Sequence, residues 1–170
     1  MGVCGPVWAQ QSHGYLLVAP GGATVFHHTR ATLHGGAGAE AVLGKGCGAG
    51  LELGALGTTA HFTDTLAGVL SANGYYHFRH TARNWDPLPA AGYSFMFRGG
   101  QSVAGCGALC DRSHLFNLGG GFQYWHGRAG LKIELRDHVR PSTSVPAGPH
   151  FIQEIGATHY WEARLGLAFH

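Results

Sequence analysis

The stretch Tyr160–His170, YWEARLGLAFH, changes character at every residue. Trp161, Ala163, Leu165, Leu167 and Phe169 share one parity, and Glu162, Arg164 and His170 share the other. Side chains of an extended chain point alternately to opposite sides, so a period of two marks a strand with one apolar and one charged face. The stretch 129–138, AGLKIELRDH, repeats the pattern, with Leu131, Ile133 and Leu135 opposing Lys132, Glu134, Arg136 and His138. An amphipathic helix sets its apolar residues at alternating spacings of three and four, whereas here they recur at every second position.

Outward from these two segments the same period recurs. In 115–125, Phe116, Leu118, Phe122 and Tyr124 oppose Asn117 and Gln123. In 88–98, Ala91, Tyr93, Phe95 and Phe97 oppose Ser94, Met96 and Arg98. In 66–78, Leu66, Leu70, Ala72, Tyr76 and Phe78 oppose Ser71, Asn73, Tyr75 and His77. Segments 46–56 (Ala49, Leu51, Leu53 and Ala55 against Glu52) and 32–43 (Leu33, Ala37, Ala39, Ala41 and Leu43 against His34 and Glu40) are less clean. A first segment, about 13–20, is apolar on both parities, which leaves its facing open. The sum is eight strands of about ten residues. Connections are short at 44–45 and 126–128, about nine residues from 79, and longer at 21–31, 57–65, 99–114 and 139–158. This predicts an all-β chain: a closed, eight-stranded, antiparallel up-and-down barrel with its long connections on one rim.

The charges decide which way the wall faces. The polar parity carries Glu40, Glu52, Glu134 and Glu162 with Arg98, Lys132, Arg136 and Arg164, four acids and four bases, whereas the apolar parity carries only Asp137. In a secreted soluble barrel holding a small apolar ligand, those charges face water and the apolar parity faces in. Two features oppose that alternative. Large aromatics (Tyr76, Phe78, Tyr124, Trp161, Phe169) sit near strand ends on the apolar parity, and the loops carry few charges. Aromatic girdles and an outward apolar band belong to transmembrane barrels. The expected lipid-facing set is therefore Tyr76, Phe78, Phe95, Phe97, Phe122, Tyr124, Leu131, Ile133, Leu135, Trp161, Leu165, Leu167 and Phe169. The eight charges are expected to form a neutralising network that fills the lumen of so narrow a barrel.

Composition agrees. At 170 residues the chain is about one domain, with 12% charged residues against roughly 25% in ordinary soluble domains. Its 29 glycines suit a strongly coiled, narrow barrel and argue against a helical bundle. A net charge of +2 without a basic stripe excludes nucleic acid as a partner. No run approaches 18 apolar residues, which excludes a helical membrane protein. Val7-Trp8-Ala9 before Gln10-Gln11 resembles a secretory cleavage site, so residues 1–9 are read as a signal remnant and 10–170 as the barrel, with an ordinary frayed terminus as the alternative. Cys106 and Cys110 are spaced for a loop disulfide in an oxidising compartment.

With these residues assembled, the chain resembles the small eight-stranded bacterial outer-membrane barrels, similar to the OmpA transmembrane domain, OmpX and OmpW. The resemblance rests on 115–125, 129–137 and 161–169 and covers nearly all of the chain after residue 12. It implies the outer membrane as location, short periplasmic turns, long extracellular loops, and both termini in the periplasm. The implied role is structural or surface-interacting: a monomer in outer-membrane lipid whose loops are available to an extracellular ligand.

Histidine is the one unusual resource, with 13 residues. His27, His28 and His34 flank the first long connection, His61 lies in the second, His114 borders the third, and His150 and His159 accompany the fourth. Imidazole suits zinc, copper or nickel, and His27 with His28 is the pair such surface capture requires. Solvated loop histidines explain them better, so neither metal nor cofactor is expected. Ser142, Thr143 and Ser144 with His150 and Glu154 are the one local set resembling catalytic machinery, and a polar loop accounts for them equally well. No enzymatic activity is expected.

Overall fold

A computed structural model of the chain describes residues 11–25, 28–43, 46–78, 85–98, 112–148, 151–155 and 157–170. Eight strands form the wall: β1 (Gln11–Val25), β2 (His28–Val42), β3 (Cys47–Thr58), β4 (Ala67–Tyr76), β5 (Trp85–Arg98), β6 (Arg112–His126), β7 (Ala129–Arg140) and β10 (Thr158–Phe169). They pair antiparallel in sequence order, and β1 pairs with β10 to close the barrel. Closure leaves no unpaired strand edge, which a sheet in a hydrocarbon environment requires.

The register fixes the barrel's size. Following paired residues round the wall, Ser12 leads through Ala41, Ala49, Gly74, Ala91, Leu118 and Asp137 to Trp161, which pairs with Gly22. The circuit returns to β1 ten residues beyond its start. For eight strands that stagger corresponds to a tilt of about 40°, and an interior just wide enough for side chains to fill.

Which parity faces inward follows from exposure. Leu118, Leu135 and Leu167 are 69%, 68% and 64% exposed, while Glu40, Glu52 and Arg136 are each 2% exposed. The wall is thus apolar outside and ionised inside, which removes the soluble barrel with an apolar chamber. The first strand, apolar on both parities, turns His13, Tyr15, Leu17 and Ala19 inward. Register with its neighbours settles what its own pattern leaves open.

Three expectations about connections need correction. Strand β1 runs to Val25 and β2 starts at His28, so 21–31 is almost entirely strand rather than a long loop. The pattern fades there because Gly21-Gly22 and the threonines and histidines carry no apolar alternation, although backbone pairing continues to Val25↔His28. The fourth connection holds a second, two-stranded sheet, β8 (Thr143–Gly148) with β9 (Phe151–Ile155). The second holds a 3-10 turn at Thr59–His61 and the short helix α1 (Phe62–Thr65). The strands run from 10 to 15 residues, longer than their alternating cores. The tight turns at Gly46 (φ 84) and Gly127 (φ 64) use glycine in the left-handed region.

Candidate functional site

The interior is a column of hydrogen-bonded ionised groups. Each is placed there by strand parity and by the strand that carries it. At the end near the 127–128 turn, Glu40 of β2 is the hub: Lys132 donates to it at 3.0 Å, His77 bonds its other oxygen, and His13 lies 3.6 Å away. His77 also reaches Asp86 at 2.6 Å, and Gln123 contacts His13 at 3.1 Å. Five barrel strands and the residue just after β4 thereby converge on one layer.

The middle layer holds the strongest charges. Glu134 accepts from Arg136 at 2.9 Å and lies 3.2 Å from both Lys132 and Arg164. Arg164 also pairs with Glu52, which accepts from the Tyr15 hydroxyl at 3.0 Å. Lys132 sits over the Tyr15 and Tyr75 rings, 4.6 and 4.2 Å from their centroids. Tyr15 fits because its register partner is Gly38, where any side chain would occupy the space of the phenol ring.

Above it, Glu162 is bonded by His34 at 2.9 Å and His138 at 3.3 Å, and lies 3.2 Å from Arg164. A neutral network of Ser71, Ser94, Asn73 and Asn117 completes this level, and His138 reaches Ser94 at 3.1 Å. Toward the opposite rim Leu56, Val69, Met96, Leu115 and Tyr160 border the His34–Glu162–His138 cluster, and beyond them Arg140 donates to the buried Thr158 hydroxyl at 3.2 Å. Enclosed charges are tolerable only when paired and hydrogen-bonded, because each loses several kcal/mol of hydration. Each of the carboxylates has a cationic partner, while Glu52 Oε1 and the Arg136 Nε and Nη1 atoms have no hydrogen-bond partner among the described residues.

Of the eight charges expected inside, Glu40, Glu52, Lys132, Glu134, Arg136, Glu162 and Arg164 are all buried in this column. The Arg98 side chain lies outside the described residues. Every aromatic or aliphatic residue expected outside projects outward. Tyr76, Phe78, Phe97, Phe122, Ile133, Leu135, Trp161, Leu165, Leu167 and Phe169 are exposed, and Phe95, Tyr124 and Leu131 are half-buried among neighbours on the same face. Aromatic pairs lie near both rims: Tyr76 with Phe78 and Trp85 with Tyr124 at one, Phe95 with Phe97 at the other.

Parity placed His34, His77 and His138 on the charged face with the eight charges, and sequence reading missed His13 and Asp86. His34, read both on the polar parity of 32–43 and beside the first long connection, lies in the lumen 1% exposed. Its parity with Glu40 on β2 was the available signal. His13 had none, since β1 shows no clear facing. His159 and His114 project outward instead of lying in loops: His159 bonds Asp137 at 2.7 Å, and His114 bonds the Tyr93 hydroxyl. His61 stands in the Thr59–His61 turn as a connection residue. His27, Cys106, Cys110 and His150 lie outside the described residues, as do the side chains of Thr143, Ser144 and Glu154, while His28 is exposed at the start of β2. Among the described residues, Cys47 is a free, exposed thiol.

A closed eight-stranded wall, apolar outside and ionised within, defines the architecture of the small outer-membrane barrels. Solved structures of that kind have this fold. Neisserial surface protein A superposes with a TM-score of 0.68 at 11% identity, over 93% of this chain and 96% of that one. The N-terminal β-barrel domain of Pseudomonas aeruginosa OprF superposes with a TM-score of 0.57 at 17% identity, over 94% and 98%. No protein-family model and no curated protein matches the sequence.

Proposed function

We propose that this chain is a bacterial outer-membrane protein that spans the bilayer as a single sealed barrel and acts structurally or through its extracellular loops. The observation that carries the reading is the inverted wall: leucines two-thirds exposed outside, glutamates and arginines enclosed and mutually paired inside. Water on the outer face would leave that apolar band unsatisfied, whereas lipid accommodates it. The paired ions that fill the interior support a plug rather than a pore. Closure without free edges favours a monomer.

The test uses the full chain produced with a bacterial secretion signal. The protein is expected in the outer-membrane fraction, extractable only with detergent, and migrating faster on gels unheated than boiled. Release by osmotic shock or salt overturns the membrane assignment. In planar bilayers the purified barrel is expected to stay electrically silent, and steady stepwise currents overturn the sealed lumen.

A further inference from the structure

The outer face is uneven. The register row Ser12, Ala41, Ala49, Gly74 and Ala91 crosses β1 to β5 side by side, and every member projects outward with little or no side chain. At strand spacing, five adjacent strands span about 19 Å. Four of its members, Ser12, Ala41, Ala49 and Gly74, line an open groove of about 910 Å³, flanked by Leu51 (63% exposed) and Phe169 (52% exposed). The Phe169 ring leans over Gly14, narrowing the groove.

The groove runs from Ala72 and Gly74 on β4 to Ser12 at the start of β1. It ends at the rim where Phe169 pairs with both Gly14 and Ala129, beside the 127–128 turn. His170 lines this end, and its backbone N–H donates to the Arg128 carbonyl at 3.2 Å. Arg128 and His126 are exposed there. Asp86, the carboxylate β5 brings to the same rim, is held by His77. The groove is thus mostly apolar, the polar members of its lining being Ser12 and the inward-facing His13, Glu40 and Asn73, and the Arg128 guanidinium belongs to the residue bonded to its His170 end.

We infer that this groove is a binding site for one glycerophospholipid of the adjoining leaflet, its acyl chain lying along the alanine and glycine floor and its phosphate at Arg128. The inference rests on the membrane reading above. A narrow, flexible chain fills a furrow between Leu51 and Phe169, whereas the flat wall of a second barrel is held off by those side chains. The charge at the mouth matches a phosphate.

The test is native mass spectrometry of the full-length barrel in detergent micelles with added phosphatidylglycerol, alongside diacylglycerol, which has the chains but no phosphate. One retained phosphatidylglycerol per barrel is expected. Ala49→Leu and Gly74→Leu project outward and fill the floor, and are expected to lower retention about tenfold while leaving the heat-modifiable folded band unchanged. Arg128→Gln is expected to lower retention of phosphatidylglycerol but not of diacylglycerol. Equal retention by the wild type and both groove-filling variants overturns the site. So does a dimer mass that the leucine variants abolish, which assigns the groove to a second copy. Absence of a heat-modifiable band in the wild type refutes the membrane reading instead, separately from the groove.

Discussion

Arg164 shows what one side chain does in this interior. It pairs with Glu52 of β3, lies 3.2 Å from Glu134 of β7, and stands beside Glu162 of its own strand. Truncation takes from Glu52 its cation in an enclosed space, while Glu134 keeps Arg136 and Lys132 and Glu162 keeps His34 and His138, so Arg164→Ala is expected to destabilise the barrel by roughly 3–5 kcal/mol, read by urea unfolding in micelles. A loss under about 1 kcal/mol means that water reaches the column and screens it. Charge parity on β3, β7 and β10 made this residue legible in the sequence. Its partners were not, because Glu52 and Arg164 stand 112 residues apart and only closure brings them together.

At the level of elements, the two tight turns differ in a way that ranks their tolerance. Both Gly46 and Gly127 have positive φ, which charges a side chain about 1 kcal/mol. A Cβ at Gly127 meets nothing within 4 Å, whereas one at Gly46 comes within 2.6 Å of the His77 carbonyl oxygen. Gly127→Ala is therefore expected to lower unfolding free energy by about 1 kcal/mol and Gly46→Ala by distinctly more. Equal losses in the same urea titration remove the steric half of that account. Strand cores were readable because burial on one face enforces alternation. The outer ends of β1 and β2 were not, because pairing there holds the backbone without demanding an apolar parity.

For the whole molecule, depth on the outer wall is the quantity that matters. Leu135 lies mid-strand on β7 and is 68% exposed, while Phe97 is the penultimate residue of β5 and 39% exposed. In a barrel that spans lipid, Leu135→Arg is expected to reduce stability by about 2–4 kcal/mol and Phe97→Arg by about 0–1 kcal/mol, measured in vesicles. A water-facing wall predicts little loss at either position. Matching small losses at the two sites therefore contradict the bilayer assignment without disturbing the fold.

The sequence by itself determined the count of wall strands, the closed meander and the separation of charge from grease, since a period of two is local and repeats in segment after segment. Only the tertiary structure decided the facing of β1, the capture of His13 by the lumen, the hairpin β8–β9, and the groove across β1 to β4. Those depend on register, and register is a relation between strands that no single strand encodes.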